Sequence, residues 1–397
     1  MHEFLLVLNA GSSSLKFAMF GKDNDVQWAP AARGQLEGIG SASARMSARD
    51  GAGGIVQSPT IDAAIPDGRS ALEYVTQWLR ETFANVHILG VGHRVVHGGT
   101  RHDGPVIVTP ELLAELRDLI ELAPLHQPYN LAAIEAVAQR LPGVPQVACF
   151  DTSFHRGRPA VADIIPLPRD ICGSQIRRYG FHGLSYEYIA AVLPEVAPAI
   201  AASRVIVAHL GSGASLCALR DGHSVDNTFG FTPLDGLCMG TRPGAIDPGV
   251  ILYLFQGLGL EARQVESILY KHSGLLGISG ISNDMRDLLE SSEASARLAV
   301  DYFIYRAVQE IGALAAVLGG LEGLVFTGGI GENSPEIRRR ICTASAWLGV
   351  DLDPQANAAN LAHLSAPTSD VSVWMIPTNE ELMIARHMGQ LLGLTET

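Results

Sequence analysis

The chain contains the same local pattern twice, about half a chain apart. The apolar run Phe4–Leu8 reaches a tip of glycine and serine at residues 11–14, and a second apolar run follows. The pattern returns 200 positions later, where Val205–Leu210 precedes the tip at residues 211–213. Each copy predicts two buried strands joined by a tight turn. The repeat therefore predicts an internal duplication of an α/β domain that begins with a hairpin.

Length and charge agree with two domains and limit the partners. A chain of 397 residues is too long for one ordinary core. Its 47% hydrophobic and 17% charged residues are typical of a well-packed enzyme, and its net charge of −13 argues against a nucleic-acid partner. The five cysteines show no CxxC spacing, which indicates reduced thiols in a cytoplasmic protein. The chain shows no signal peptide and no apolar stretch that could span a bilayer, so we expect no membrane partner.

The two hairpin tips and a later glycine loop suggest a nucleotide site. Backbone N–H groups and hydroxyls at such tips can converge on an anion, although a plain β-turn fits each tip equally well. Two tips facing each other across a cleft would suit a nucleoside triphosphate. At residues 324–333 a strand runs into a glycine loop, and Ser334 and Pro335 then supply the N-cap and N1 of a helix. Neither a P-loop nor a dinucleotide fingerprint is present.

Charged residues stand at or near the ends of predicted strands. Asp151 follows the buried strand 146–150, where ligands bind in α/β proteins, although an Asx turn would also explain it. Arg94 lies within a strand, where burial would be costly without an anionic partner. His93 and His97 have a spacing that zinc sites use, but no third ligand follows at a convincing distance.

Several helices are predicted from apolar spacing. The predicted helices span residues 69–84, 110–122, 130–140 and 296–318. The last is apolar almost all round, which predicts that it is buried on every side. Two further basic loops occur, one with Arg177 and Arg178 and one with Arg242 among glycines. A surface turn is the alternative for the first of these loops.

Taken together, these stretches resemble the acetate kinase family, within the acetate and sugar kinase/Hsp70/actin superfamily. The resemblance covers residues 5 to 390 and rests on eight motifs in the family's order: LNAGSSSLK (8–16), GHRVVHGG (92–99), FDTSFH (150–155), RRYGFHG (177–183), HLGSGAS (209–215), MGTR (239–242), FTGGIGENS (326–334) and PTNEEL (377–382). It implies an α/β fold of two duplicated actin-like (ribonuclease H-like) domains flanking an active-site cleft. Residues 1–150, completed by 380–397, would form one domain. Residues 151–379 would form the other, which binds nucleotide and dimerises.

The resemblance also implies an activity. The family transfers the γ-phosphoryl group of ATP reversibly to acetate, giving acetyl phosphate and ADP, with Mg²⁺ or alternatively Mn²⁺. It implies a homodimer. A kinase for propionate or another short acyl acid is the nearest alternative. An actin-like or Hsp70-like protein that uses ATP as a switch is a second, although such a protein has no use for a carboxylate pocket.

The resemblance implies roles for individual residues. The catalytic residues would be Arg94, Asp151, His182 and Arg242. The acetate site would comprise Arg94, Val96, Leu125, His126, Phe181 and Pro233. ATP would be bound by Ser12, Ser14, Lys16, His209, Leu210, Gly211, Ser212, Gly213, Asp284, Met285, Arg286, Gly329, Ile330, Gly331, Glu332 and Asn333. Asn9 and Glu380 would lie near the metal. Ser212, Pro243 and Ala245 depart from the family's usual Asn, Ser and Asp.

These residue types suit the joining of two anions. Arginine forks bind carboxylate and phosphoryl oxygens bidentately, which offsets the repulsion between acetate and the γ-phosphate. Acetate is already ionised at neutral pH, so it needs no general base. We therefore expect Asp151 to organise the metal ion and the arginines, with proton acceptance as the second interpretation.

Overall fold

The computed structural model describes residues 2–23, 27–41, 43–56, 61, 64–83 and 85–394. The chain divides into two units, Met1–Phe154 with Asn379–Thr397, and His155–Thr378. These boundaries differ by a few residues from the predicted 150/151 and 379/380. Asp151 remains with the first unit, where its backbone N–H bonds the carbonyl of Val95.

The first unit is built on an eight-stranded sheet. Its strands are β1 (His2–Ala10), β2 (Ser14–Asp23), β3 (Gln27–Glu37), β4 (Arg45–Asp50), β5 (Ile55–Val56), β6 (Val86–Val95), β7 (Val106–Ile107) and β8 (Gln146–Phe150), in the order β5-β4-β3-β2-β1-β6-β8-β7. Its helices are α1 (Gly68–Thr82), α2 (Pro110–Asp118), α3 (Gln127–Arg140) and α14 (Glu380–Leu391).

Helices pack against this sheet according to the side-chain alternation of its strands. Leu6 and Leu8 of β1 join a core cluster with α1 and α3. On the other face, a Cβ at Gly92 of β6 would stand 2.4 Å from Ile384 of α14. Glycine at this position therefore lets α14 approach the sheet closely, which brings its first residue, Glu380, toward the end of β6.

The second unit contains a five-stranded sheet. Its strands are β9 (Arg204–Leu210), β10 (Ala214–Arg220), β11 (His223–Asn227), β12 (Gly323–Thr327) and β13 (Ser372–Met375), in the order β11-β10-β9-β12-β13. Its helices are α4 (Arg169–Cys172), α5 (Gly183–Val196), α6 (Pro248–Gln256), α7 (Ala262–Lys271), α8 (Gly274–Ser279), α9 (Met285–Glu290), α10 (Ala294–Leu318), α11 (Gly328–Asn333), α12 (Pro335–Ala344) and α13 (Pro354–Ala358).

The two sheets share one topology, as the repeated hairpin predicts. In the first unit the order β3-β2-β1-β6-β8 pairs antiparallel, antiparallel, parallel and parallel. In the second unit β11-β10-β9-β12-β13 pairs in the same sequence of directions. Each glycine-serine tip thus joins the second and third strands of an equivalent five-strand core.

The helix predictions hold with corrected limits. The helix predicted at 110–122 ends at Asp118 and continues as a separate 3₁₀ turn at Ile120–Leu122. The loop predicted at 328–333 is the short helix α11. The prediction that residues 296–318 are buried all round is wrong, because Leu298 and Tyr305 are 60% and 65% exposed. Apolar composition on every face does not reveal which face of a helix lacks a packing partner.

Two further sequence expectations can be compared with the structure. All five cysteines are free thiols, and four of them are buried. Within the residues that are described, no helix has the length and hydropathy that crossing a membrane requires.

Candidate active site

Arg94 and Asp151 form a buried ion pair in the first unit. Arg94 is the penultimate residue of β6, and Asp151 follows the parallel strand β8 directly, so their side chains emerge at the same edge of the sheet. Arg94 Nε donates to Asp151 Oδ1 at 2.9 Å, and Nη2 donates to Oδ2 at 2.7 Å. Asp151 is only 1% exposed. The guanidinium therefore supplies the partner that burial of each charge requires.

Glu380 extends this pair into a cluster with surplus negative charge. Its Oε2 lies 3.7 Å from Arg94 Nε. Burial raises the pKa of the Glu380 carboxyl to about 7; Arg94 opposes this shift, and the carboxylates of Asp151 and Glu381 reinforce it. Burial by itself would lower the pKa of Arg94, but the charges of Asp151 and Glu380 outweigh it and raise that pKa. A cation among these oxygens would balance their charge.

The oxygen-rich cluster fits a magnesium ion. Carboxylate and amide oxygens are the ligands that Mg²⁺ prefers, and it commonly takes one or two carboxylates and completes its shell with water and phosphate. Asp151, Glu380 and the nearby strand residue Asn9 offer such oxygens. Across the described ranges no group of three or more His, Cys, Asp or Glu residues forms a metal-binding cluster. The donor set thus suits a metal shared with a phosphate ligand.

The predicted phosphate contacts of the first hairpin are divided between two cavities. The turn closes through a hydrogen bond from Gly11 N to Ser14 O at 2.8 Å. Ser12 lines a cavity of about 540 Å³ that includes the start of α1. Lys16 lines a different cavity of about 580 Å³, together with Asn379 and Glu381. Among the cavities of the described residues, Ser12 and Lys16 thus line two different ones.

Two carboxamide residues that the sequence analysis missed position the predicted acetate residues of this unit. Asn130 Oδ1 accepts from Val96 N at 3.1 Å, and Asn130 Nδ2 donates to Ala10 O at 2.9 Å. Gln127 bonds both the N–H and the carbonyl of His97. The half-buried Leu125 and His126 lie in the loop just before α3, the helix that carries both carboxamides.

His93 and His97 do not form a zinc site. Both are buried, and His93 Nε2 lies 2.7 Å from Gln146 Oε1. Burial lowers the pKa of each imidazole to about 4, with the Gln146 contact opposing the shift at His93. The spacing that suggested zinc reflects alternate positions along β6 and the residues that follow it.

His182 occupies a strained backbone conformation in the second unit. It is the N-cap of α5 with φ 58° and ψ 23°, the left-handed region that non-glycine residues rarely adopt. Its ring lies 4.2 Å from the ring of His209 and 5.1 Å from that of Phe229. Such strain persists only where surrounding contacts enforce it, and it is common at active sites.

Arg242 and His182 approach the same point of the second hairpin. A Cβ at Gly213 would stand 2.7 Å from Arg242 Nη2 and 3.2 Å from His182 Nε2. Arg242 Nη1 donates to the carbonyl of the buried Pro233 at 2.7 Å, which fixes the guanidinium. The tip is therefore flanked by a fixed cation and a ring nitrogen that can donate a hydrogen bond.

The predicted acetate residues are divided between the units. Val96 and Leu125 belong to the first unit, whereas Phe181 and Pro233 belong to the second. Phe181 is 1% exposed, and its ring meets Phe229 edge-on at 5.7 Å.

A cavity of about 700 Å³ is lined by half of the predicted nucleotide residues. Its predicted lining residues are Gly211, Ser212, Asp284, Met285, Arg286, Gly329, Ile330 and Asn333. Asn283, Leu289, Glu290, Ser334, Pro335 and Glu336 also line it and were not predicted as ligands. Asp284 caps α9 and accepts from Arg286 N at 2.8 Å. A volume of this size is in the range of small-ligand sites.

Other predicted nucleotide residues lie outside this lining. Leu210 is fully buried in β9, and His209 Nδ1 lies 2.8 Å from Ser185 Oγ. Glu332 Oε1 accepts from Gly328 N at 2.9 Å and Thr378 N at 3.1 Å. Its carboxylate therefore stabilises the main chain of the glycine segment, residues 328–333. Gly331 is buried between β9 and β12.

A fully buried arginine, absent from the predicted site, supports the same glycine segment. Arg338 Nη1 donates to Gly331 O at 2.8 Å and Glu332 O at 2.9 Å, while Nε donates to Asn357 Oδ1 at 2.8 Å. Since these are carbonyl and amide oxygens, Arg338 satisfies the open carbonyls at the end of α11. Its helical position at 335–344 gave no sign of this role.

Comparison with known proteins finds relatives along nearly the whole chain. Residues 4–386 match the model of the Acetokinase family. The chain is 52% identical over 403 residues to an acetate kinase of Rhodopseudomonas palustris, covering 98% of this chain and 99% of that protein. It is 50% identical over 390 residues to an acetate kinase of Rhizobium meliloti, covering 98% of each.

Two solved structures share the fold. The Porphyromonas gingivalis acetate kinase matches with a TM-score of 0.87 and 36% identity, over 98% of this chain and 100% of that one. A propionate kinase from Francisella tularensis matches with a TM-score of 0.88 and 35% identity, over 97% and 98%. The predicted actin-like α/β fold class is thereby confirmed. The chain belongs to the acetokinase family.

Proposed function

We propose that the chain transfers the γ-phosphoryl group of ATP reversibly to acetate, giving acetyl phosphate and ADP. The observation that carries this proposal is the second hairpin tip. Gly211 and Ser212 line the 700 Å³ cavity, and Gly213 adjoins Arg242 and His182. A nucleotide in that cavity would thus have its phosphates beside a guanidinium and an imidazole, the groups that neutralise charge during phosphoryl transfer.

The residues of the cavity would divide the binding of ATP. The glycine segment at the start of α11 presents backbone N–H groups near Gly329, where no atom stands within 4 Å of a Cβ position. Open backbone of this kind admits phosphate. Asp284–Arg286 would contact the nucleoside part, and Glu332 and Arg338 would keep the glycine segment in place.

Arg94 would bind the acetate carboxylate, because a guanidinium fork recognises carboxylates bidentately. Asp151 already holds two of its donors, so acetate would meet a guanidinium whose orientation is fixed in advance. The nucleophile is an ionised carboxylate and needs no base. This supports Asp151 as an organiser of Arg94 and the metal, with proton acceptance as the second interpretation.

Asn9, Asp151 and Glu380 would hold Mg²⁺, with Mn²⁺ as the alternative ion. When bound, the ion would offset negative charge on the phosphate oxygens. The chain's own residues would orient it. Burial first, and then the carboxylates of Asp151 and Glu381, raise the pKa of Glu380, and such an ion would balance these negative charges.

Acetate is the preferred acceptor in this proposal. Val96 is 8% exposed at the end of β6, and its branched side chain occupies space that an extra methylene would need. One methylene in an apolar pocket is worth roughly 10–200-fold in specificity. Propionate is the second candidate, since the propionate kinase noted above has the same fold.

Self-association would use the second unit. Helix α6 exposes several large apolar side chains, among them Leu252 at 56% and Tyr253 at 59%. A surface of this kind on a globular protein commonly marks an interface. We propose a homodimer through this helix, which sedimentation of the wild type and of Leu252→Asp would test.

One assay decides the proposed activity. Acyl phosphate trapped with hydroxylamine should appear only when acetate, ATP and Mg²⁺ are all present. ATP hydrolysis without acetate should remain at background. Acetate-independent hydrolysis with no trapped acyl phosphate would instead indicate an ATP-driven switch, and a higher kcat/KM for propionate would favour the propionate kinase.

A further inference from the structure

A chain of hydrogen bonds stands behind His182, on the side away from the hairpin tip. His182 Nδ1 lies 2.9 Å from Ser215 Oγ, and Ser215 Oγ in turn contacts the Tyr186 hydroxyl. Ser215 belongs to β10, and Tyr186 lies one turn into α5, the helix that His182 caps. Both Ser215 and Tyr186 are 0% exposed. The two hydroxyls are therefore shielded from water and bond in series to the Nδ1 side of the His182 ring.

The number of hydrogen atoms available to these two hydrogen bonds determines which atom carries each of them. There are two contacts, Tyr186 to Ser215 and Ser215 to His182, and two hydroxyl hydrogens to fill them. If Tyr186 donates to Ser215 and Ser215 donates to Nδ1, each hydrogen has an acceptor. A hydrogen on Nδ1 would make three hydrogens for two contacts, so one buried donor would be left without an acceptor.

The surroundings of Tyr186 and His182 restrict where the hydrogens of these two hydrogen bonds can lie. Burial raises the pKa of Tyr186 well above its ordinary value; the Cys217 thiol reinforces the shift, and the Ser215 contact opposes it. The phenol thus keeps its hydrogen at neutral pH. The His182 ring cannot easily turn over, since it lies between the rings of His209 and Phe229 and its backbone is held at φ 58°.

We propose that Ser215, whose hydroxyl is held by Tyr186, is a positioning residue that keeps His182 a neutral imidazole with its hydrogen on Nε2. The inference rests on the proposed function in one respect, because only that function gives the Nε2 hydrogen a role in phosphoryl transfer. Nε2 lies beside Arg242 at Gly213, so Nε2–H would donate to an oxygen of the transferring phosphoryl group. The opposite tautomer would present a lone pair there and would repel that oxygen.

The tautomer can be observed directly in the full-length protein. Two-bond ¹H–¹⁵N spectra of ¹⁵N-histidine-labelled protein distinguish an Nε2–H imidazole from Nδ1–H and from imidazolium. The chain has 13 histidines, and the spectrum of His182→Gln identifies the signal of His182. We expect the Nε2–H pattern in the wild type at pH 7.5 without ligands. An Nδ1–H or imidazolium pattern would overturn the proposal without any variant being needed.

Ser215→Ala removes the hydroxyl that donates to Nδ1, together with its contact to Tyr186, and so permits a hydrogen on Nδ1. A buried unpaired donor disfavours a state by about tenfold, so the variant should lose about that much tautomer preference and show a mixed pattern. We expect kcat to fall about 2- to 10-fold, with KM for ATP within twofold of wild type. Tyr186→Phe keeps the Ser215 hydroxyl as the donor to Nδ1, so it should retain the Nε2–H pattern and lower kcat by less than Ser215→Ala does.

Tyr188→Phe is the matched control, because it removes the same atom from a half-buried tyrosine of the same helix. It should leave both the tautomer and kcat unchanged. An unaltered Nε2–H signal in Ser215→Ala would contradict the positioning role of Ser215. A mixed signal with unaltered kcat would overturn the catalytic role given to the Nε2 hydrogen. Absence of acetate-dependent activity in the wild type would refute the proposed function, whereas the tautomer measurement would stand independently.

Discussion

Arg94 and Asp151 are joined by two parallel hydrogen bonds of 2.9 and 2.7 Å, although 57 positions separate them in the chain. Asp151 is almost fully buried, whereas about a fifth of the Arg94 side chain is exposed. Asp151 therefore fixes the orientation of the Arg94 guanidinium and leaves part of that group accessible. Removal of either partner would change both the charge and the geometry of the proposed acetate site.

Arg94→Ala should lower kcat by roughly 10²- to 10⁴-fold, because it removes charge that offsets repulsion in the transfer step. Arg94→Lys should recover only part of this loss, since lysine lacks the planar fork. The measurement is steady-state formation of acyl phosphate. Arg101→Ala, at a surface ion pair with Glu115, is the control and should retain wild-type turnover. Wild-type turnover in Arg94→Ala would show that the acceptor binds elsewhere.

Asp151→Asn should raise the Mg²⁺ concentration needed for half-maximal activity, by about tenfold, because a charged oxygen ligand becomes neutral. Its activity at saturating Mg²⁺ should recover in part. The measurement is a magnesium titration of kcat at constant ATP. If Asp151 were instead a proton acceptor, activity in Asp151→Asn would stay low at every magnesium concentration.

Arg338→Met should destabilise the second unit by about 2–4 kcal/mol, because it leaves the carbonyls of Gly331 and Glu332 buried and unpaired. KM for ATP should rise as the glycine segment loosens. Urea unfolding and ATP-dependent kinetics measure the two effects. Arg339→Met is the control, since that neighbouring arginine is about half exposed and pairs only with Glu336 on its own helix. Equal stability of both variants would contradict the supporting role of Arg338.

Acid should weaken the fold through buried neutral histidines. Burial lowers the pKa of His93 to about 4, against 6.5 for an ordinary histidine. The unfolded chain therefore binds a proton at higher pH than the folded chain does. The stability is fully present above pH 6.5 and is lost as pH falls toward 4, by about 1 kcal/mol between pH 7.5 and 5.5 for this residue.

His93→Gln should remove the part of the pH dependence of the unfolding free energy that comes from His93, because glutamine can bond Gln146 without titrating. Urea-unfolding free energies at pH 7.5 and 5.5 provide the measurement. His87→Gln, at an exposed position of the same strand, should leave the wild-type difference intact. An unchanged pH difference in His93→Gln would mean that His93 is not neutral in the folded chain.

Val96→Ala should narrow or reverse the preference for acetate over propionate, because it admits one more carbon atom. We expect the ratio of kcat/KM for the two acids to shift by roughly 10-fold or more, while KM for ATP is unchanged. Val91→Ala is the matched control, since it truncates a fully buried valine within β6, the strand that ends just before Val96. A ratio that moves equally in both variants would make Val96 an ordinary core residue.

Local patterns were sufficient to predict much of the fold. The glycine-serine tips, the strand before Asp151 and the cap at Ser334 each depend on residues within a few positions, and the structure contains them all. Helix limits and burial were less accurate. The extent of α10 was nearly right, but its exposed face was not, because exposure depends on which other elements pack against it.

The sequence by itself determined the duplicated hairpins, the family and the residue types of the candidate site. Only the tertiary structure decided how those residues are held. Asn130 bonds Ala10 and Val96, which lie 120 and 34 positions away from it in the chain. Arg338 donates to the main chain of the glycine segment. Tyr186 and Ser215 orient His182. The physical reason is the range of the forces involved. Turn and strand preferences act between chain neighbours, whereas a buried polar side chain finds its partner among whichever residues the packing brings within about 3 Å.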